Sequence, residues 1–210
     1  MPSRLSQLDT IIFDLGNVIV DLQPQAVLDR FAELAPDASR DIPALIKDTD
    51  LLIKYETGKF TSEEFVTACN EFLGADIHAD DFSEAWNLMI GDIPERRLDL
   101  LKELAQSYQV LILSNTNEFH EIFFEDKIRK ERGVSGLDHY VHHPIYSHLI
   151  GLRKPKADIY EYVIENYLTS PSKALFLDDK AENVEAAIAV GMQSEQVEYP
   201  DQIFKILGYE

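Results

Sequence analysis

Five polar side chains stand where an apolar run stops. Asp14 follows Ile11-Ile12-Phe13, Ser114 and Asn115 follow Val110-Leu111-Ile112-Leu113, and Asp178 and Asp179 follow Ala174-Leu175-Phe176-Leu177. Lys154 precedes a proline in Leu152-Arg153-Lys154-Pro155-Lys156. An ionised carboxylate such as Asp14 can attack phosphorus and hold the group covalently until water releases it. Adjacent carboxylates such as Asp178 and Asp179 repel each other unless a cation sits among them. A hydroxyl with backbone amides at a strand end, as at Ser114 and Asn115, is a phosphate-binding arrangement. An ammonium such as Lys154 offsets repulsion between two anions and stabilises charge on a phosphoryl group. Taken singly each signal has a plainer reading: a turn or cap Asp, acids at a helix start, a turn Ser, a chance Lys-Pro.

The elements that must carry these residues follow from the same runs. Short stretches rich in β-branched and aromatic residues, ended by Gly16-Asn17 in the first case, predict buried strands. In an open α/β sheet, ligands bind beyond the carboxyl ends of the strands, so three such ends describe one rim. Helix is predicted for about Arg96 to Ser107, from about Glu118, from near Lys156, and for about Glu182 to Val190, with a short strand near Tyr140 to Ser147. Strand alternating with helix means a parallel sheet covered on both faces. The segment Phe124 to His143 reads as an irregular loop with a partial helix.

Residues 22–92 read as helical throughout. Ala26, Val27, Phe31 and Leu34 recur at helical spacing after Pro24; Leu45, Ile46, Leu51 and Leu52 make a second stripe. Thr61 or Ser62 caps a third helix with apolar face Phe65, Val66, Cys69, Phe72 and Leu73, and Asp81 to Met89 makes a fourth. Asp21 reads as a helix-capping residue before Pro24. The expected division is therefore a core of residues 1–20 and 93–210 with 21–92 inserted. In the insert, Lys54, Tyr55 and Glu56 beside Gly58 are pocket candidates, and Trp86 is expected in the core. Asn117 and His120 are candidates to line a pocket, with a surface-helix position an equal alternative for His120, while Arg153 is expected to be exposed.

Composition bounds the partners. The 210 residues carry 38 acids against 19 bases, a net charge of −19. Such a chain repels nucleic acid, and an anionic substrate would need a local positive field from a metal ion, Lys154 or backbone N–H groups. No apolar run approaches the roughly 20 residues of a membrane span. Met1 to Asp9 shows no signal-peptide pattern, so a cytoplasmic location is expected. The single cysteine, Cys69, is expected to be a buried packing thiol.

In their order along the chain, a strand-end Asp, a strand-end Ser, a Lys before Pro and a paired-Asp strand end, these elements resemble the haloacid dehalogenase-like (HAD) hydrolase superfamily. The first motif, Phe13-Asp14-Leu15-Gly16-Asn17-Val18, is similar to that of a branch of bacterial sugar-phosphate phosphatases. The resemblance implies a Rossmann-like core with a small helical cap, Asp14 as nucleophile, and Mg²⁺ held by Asp14, the Gly16 carbonyl and Asp179. It further implies that Asp178 acts directly or through water. Asn183, one helical turn on, could orient these ligands. Ser114, Asn115 and Lys154 would then bind the phosphate of a small-molecule ester.

One position departs from the family. Many of its phosphatases carry a second aspartate two residues after the nucleophile, where this chain has Gly16. Three readings stay open: a phosphatase with another proton donor, a haloacid dehalogenase, and a phosphate-ligand-binding protein with little turnover. Dehalogenation needs no divalent cation, so the Asp178-Asp179 pair favours the first.

Overall fold

The computed structural model describes residues 4–38, 42–45, 47 and 50–209. Five parallel strands, β1 (Thr10–Phe13), β2 (Gln109–Ser114), β3 (His143–Tyr146), β4 (Ala174–Asp178) and β5 (Gln193–Gln196), form one sheet in the order β3-β2-β1-β4-β5. β1 lies at its centre, with Phe13 in register with Ile112 on one side and Leu177 on the other. Asp14 therefore leaves the sheet at the same level as the ends of β2 and β4, where the strand order reverses.

Alternation along these strands builds two cores. Ile11, Phe13, Val110, Ile112, Leu175 and Leu177 face one cluster, whereas Ile12, Leu111, Leu113, Phe176 and Ala174 face another. Period-two side chains on a doubly covered sheet require this near-continuous apolar run. The polar strand β5, Gln193-Ser194-Glu195-Gln196, carries no such signal and lies at the sheet edge, where polar residues guard against further pairing.

The helices are α1 (Pro24–Leu34), α2 (Ile42–Leu45), α3 (Asp50–Glu56), α4 (Ser62–Leu73), α5 (Ala79–Asn87), α6 (Glu95–Leu104), α7 (Glu118–Arg132), α8 (Ser147–Ile150), α9 (Ala157–Tyr167), α10 (Ala181–Ala189) and α11 (Gln202–Leu207). The five from α1 to α5 form the cap, one more than the sequence pattern indicates. The second stripe is two short helices, and Ile46 within it lies outside the described residues. The α4 start is a full capping box: Thr61 accepts from the Glu64 N–H while Glu64 accepts from the Thr61 N–H. A third apolar cluster, built by residues from Val27 to Trp86, fills the cap. Its centre is aromatic: Tyr55 stacks on Phe65 at 4.2 Å, and Phe65 meets Trp86 edge to face at 5.0 Å. Cys69 is buried there and its thiol is pushed up to about 12 by burial, as a packing residue would be.

Two expectations are corrected. The stretch from Phe124 is irregular only in its second half: α7 continues to Arg132, and bends with one short 3-10 turn, Leu137–His139, then lead to β3. Only His120, Phe124 and Ile128 are buried on α7, a stripe one residue wide, while exposed Ile122 and Phe123 blur the periodicity. Ion pairs Lys127–Glu131 and Lys130–Asp126 at helical spacing support its solvent face. Asp21 does not cap α1, whose N-cap Gln23 makes no side-chain bond. It pairs instead with Arg97 at 2.7 Å; that buried guanidinium also holds Asp201 and the Ile19 carbonyl, and so anchors the chain as it leaves for the cap. No helix among the described residues is long and apolar enough to cross a membrane.

Candidate active site

The ends of β1, β2 and β4 open into a cavity of about 420 Å³ roofed by the cap. Asp14, Gly16, Asn17, Ser114, Asn115, Lys154, Asp179 and Asn183 belong to its core wall; Leu52, Glu56, Trp86 and Met89 belong to its cap wall. Of the residues expected to act in catalysis, bind phosphate or hold a metal, all are in the core wall except Asp178, which lies behind Lys154.

Lys154 organises the core wall. Its ammonium, 1% exposed, donates to Asp14 Oδ1 at 2.8 Å and to Asp178 Oδ2 at 2.6 Å. Asn115 fixes the segment that delivers it, accepting from the Lys154 N–H and donating to its carbonyl, both at 2.9 Å. The Asn115 side chain is thus occupied, and what it can present to a ligand is its backbone. Asp178 is fully buried: it accepts from Lys154, from the Lys180 N–H and from both-oxygen contact with Asn183 Nδ2. Asp179 reaches the cavity, its Oδ2 held by Asn17 Nδ2 at 3.1 Å. Asn17 adopts the left-handed conformation (φ 54°), which Asn tolerates better than most residues, and it is a positioning residue the strand pattern does not reveal.

The charge in this cluster is unbalanced. Ligand oxygens of Asp14, Asp178 and Asp179 all lie within 4.8 Å of one another, against the one ammonium of Lys154. Asp14 is raised to about 7: burial lifts it most, Lys154 pulls it down in part, and the Asp178 and Asp179 carboxylates add to the rise. Burial alone would lower Lys154, yet the Asp14 and Asp178 carboxylates outweigh it and hold the ammonium above its ordinary value. Near these carboxylates, Asn183 keeps a buried Oδ1 with no hydrogen-bond partner. A surplus of hard oxygen donors beside an unsatisfied acceptor fits a small hydrated divalent cation, whose charge would balance the acids and whose waters would satisfy Asn183. Asp14, Asp179 and the Gly16 carbonyl are the groups that could hold it from the cavity side.

Three side chains, Arg153, Tyr55 and Lys54, differ from expectation, and His120 takes the pocket-lining one of its two alternatives. Arg153 is buried, not exposed, and donates to Glu56 Oε2 at 2.9 Å, joining the core wall to the C-terminal end of α3. Of the three α3 candidates, Glu56 alone lines this cavity; Tyr55 is in the cap core with its hydroxyl on the Phe119 N–H, and Lys54 lies over Phe60. His120 is not a surface residue: it stacks on Trp86 at 5.6 Å and bonds both Asn117 and the Trp86 carbonyl. Burial lowers it to about 4, so it is neutral. Gly58, at φ +64°, closes the cap seam, where a Cβ would strike the His148 carbonyl oxygen.

Such a site presents a fixed carboxylate, a fixed ammonium and a cation-hungry donor set to one small cavity. A family model described as a haloacid dehalogenase-like hydrolase matches residues 8–191. A D-ribitol-5-phosphate phosphatase of Bacteroides thetaiotaomicron is 28% identical over 189 residues, 90% of this chain and 91% of that protein. A sesquiterpene phosphatase of Aspergillus oryzae is 29% identical over 191 residues, 86% and 85% of the two chains. A crystal structure of a HAD family enzyme from B. thetaiotaomicron, in complex with magnesium and inorganic phosphate, superposes with a TM-score of 0.78 at 25% identity, covering 90% of this chain and 93% of that one. With its Rossmann-like core, helical cap and strand-end carboxylates, the chain belongs to the haloacid dehalogenase-like hydrolases.

Proposed function

We propose that the protein is a Mg²⁺-dependent phosphatase acting on a small organic phosphate monoester, sugar phosphates among the candidates, with Asp14 as nucleophile. The observation that carries this reading is Lys154 bridging Asp14 and Asp178 at the floor of the cavity, with Asp179 in the same cluster. Ester phosphate would enter with its oxygens toward Lys154, Ser114 and the backbone after β2. A carboxylate oxygen of Asp14 attacks phosphorus, the ester P–O bond breaks, and the alkoxide takes a proton from solvent. Water then attacks phosphorus of the aspartyl-phosphate, releasing inorganic phosphate and restoring Asp14. Lys154 stays in place throughout, because Asn115 and Asp178 fix it from behind, and it stabilises charge on the equatorial oxygens. Bound at Asp14, Asp179 and the Gly16 carbonyl, Mg²⁺ would shield the meeting of two anions. Asp178, whose oxygens are taken by Lys154, Lys180 and Asn183, serves that site indirectly.

The two phosphatase relatives and the structure holding magnesium and phosphate support the reaction type. One relative is named for a ribitol phosphate and the other for a sesquiterpene, so they leave the organic group open. The division of the chain into a core of residues 1–20 and 93–210 and a cap of 21–92, and a cytoplasmic location, belong to the same proposal. Nucleic acid and membranes are not expected partners of a chain with net charge −19. The dehalogenase reading gives the third carboxylate no task. A panel of phosphate monoesters with Mg²⁺ and with excess chelator tests the proposal. Turnover that chelator abolishes is expected. Halide release from 2-haloacids, or phosphate-ester turnover indifferent to chelator, would overturn it.

A further inference from the structure

The three clustered carboxylates are held unequally. Asp14 accepts from Lys154 and from the Leu15 N–H, and Asp178 accepts from Lys154, the Lys180 N–H and Asn183. Among the described residues, the Asp179 carboxylate has a single hydrogen-bond partner, Asn17 Nδ2 at 3.1 Å, and no ion pair. Asn17 is itself fixed. Its N–H donates to the Val20 carbonyl at 2.7 Å, and its Oδ1 accepts from the Leu22 N–H at 3.3 Å. With the amide oxygen engaged there, the NH₂ is the group that faces Asp179. A neutral donor suits this place. A lysine or arginine would orient Asp179 as well, but its charge would compete with a metal ion. The amide holds one oxygen and leaves the negative charge for the cation. Mg²⁺ demands near-ideal octahedral geometry, whereas Ca²⁺ accepts looser arrangements, so a fixed carboxylate favours the smaller ion.

We propose that Asn17 is a positioning residue for the metal: by holding Asp179 it sets the affinity of the site for Mg²⁺ and its preference for Mg²⁺ over Ca²⁺. This inference rests on the metal site proposed above. It names the residue outside the ligand set on which that site depends.

Two variants test it, because both Gly and Asp accept the left-handed backbone that Asn17 adopts at φ 54°. Asn17→Gly removes the amide. Calorimetric titration without substrate should show it binding Mg²⁺ about tenfold more weakly than wild type, with Ca²⁺ weakened less. Asn17→Asp keeps an acceptor for the Leu22 N–H but sets a second carboxylate against Asp179. Its thermal unfolding should gain more from Mg²⁺ over chelator than that of wild type, since the cation relieves the new repulsion. Asn17→Gly should gain less, since it binds the cation more weakly. A merely structural role would lower both variants alike in chelator and in Mg²⁺. Affinity of Asn17→Gly within about twofold of wild type, or equal weakening of Mg²⁺ and Ca²⁺, overturns the proposal. So does an Mg²⁺-dependent gain in Asn17→Asp no larger than that of wild type, even if Asn17→Gly fails to fold. Failure of the metal site itself looks different: wild-type protein would then bind no Mg²⁺ by either measurement.

Discussion

The two walls of the cavity are held by different physics. On the core wall, Lys154, Asp14 and Asp178 meet through bonds of 2.6 and 2.8 Å, and Asn115 and Asn183 brace them at 2.8 to 3.0 Å. On the cap wall, Trp86 rests among Phe31, Phe65, Phe82 and His120 with ring centroids 5.0 to 6.4 Å apart. Hydrogen-bonded charges tolerate no substitution of type, because a lone buried charge is left behind. Packed rings tolerate exchanges that conserve volume. Under the proposed function, the chemistry is locked into the strand ends, while the opposite wall is a packed surface that can change without disturbing it.

The sharpest break in this contrast is at Asp14. Asp14→Asn keeps the shape and the bond from the Leu15 N–H but deletes the carboxylate proposed to attack phosphorus. Turnover should fall by roughly ten thousand-fold or more while thermal unfolding shows a folded protein. Residual activity near wild type would end the covalent mechanism.

Lys154→Met should come next, and it should strike both rate and stability. Without the ammonium, Asp14 and Asp178 are left buried and uncompensated, a loss of about 3–5 kcal/mol in unfolding free energy. Turnover should fall by roughly a thousand-fold, comparable to removing an oxyanion-stabilising donor. Urea denaturation with and without Mg²⁺ separates the two effects: the cation should restore part of the stability and none of the rate. Equal stability of mutant and wild type would refute the assignment of Lys154 as the charge that holds this cluster together.

A smaller effect lies where the walls meet. His120 is neutral because burial lowers it from 6.5 to about 4. The unfolded chain protonates first as pH falls, so the full contribution is present above about 6.5 and is lost progressively toward 4. The shift bounds the loss at about 3 kcal/mol. Other carboxylates titrate in the same range, so the measurement is the difference between wild type and His120→Gln. The two stability curves should converge as pH falls from 7.5 to 4. Parallel curves would mean that His120 is not buried in its neutral form.

Much of this architecture was legible in the chain because parallel strands buried on both faces read as unbroken apolar runs. β1, β2 and β4 announce themselves in that way, and each delivers its polar residue one step later. β5 was invisible since an edge strand needs no apolar face, and the length of α7 was hidden by its exposed Ile122 and Phe123. The gathering of Asp14, Lys154, Asp178 and Asp179 at one cavity follows from strand order and motif order together. Residues that act through packing were not legible. Arg153 looks like a surface residue and His120 could be read either way, and only the folded cap supplies Glu56 and Trp86 as their partners. Asn17 carried a turn signal, but its bond to Asp179 spans 162 positions.

The mildest test concerns Gly16, where the resemblance to HAD phosphatases would lead one to expect an acid. With no carboxylate there, the departing oxygen leaves with little proton assistance, so the rate should depend steeply on how well it bears negative charge. Aryl phosphates should then outrun primary-alcohol phosphates, and the aspartyl-phosphate, lacking a base to activate water, should accumulate as a pre-steady-state burst. The fold allows the missing group to be put back. A Cβ on Gly16 would lie 2.9 Å from Leu22 Cδ1, the movable end of a side chain rather than backbone. Gly16→Asp combined with Leu22→Ala makes that room without replacing Lys154 or the carboxylates it faces. The double variant, compared with Leu22→Ala alone, should flatten the leaving-group dependence and raise the rate on a primary-alcohol ester about tenfold, below the hundredfold or more of an evolved acid. A flat dependence in the wild-type protein would reverse the argument. The proton would then already come from the protein, and the cavity offers Glu56, opposite Arg153 on the cap wall, as the carboxylate to test next.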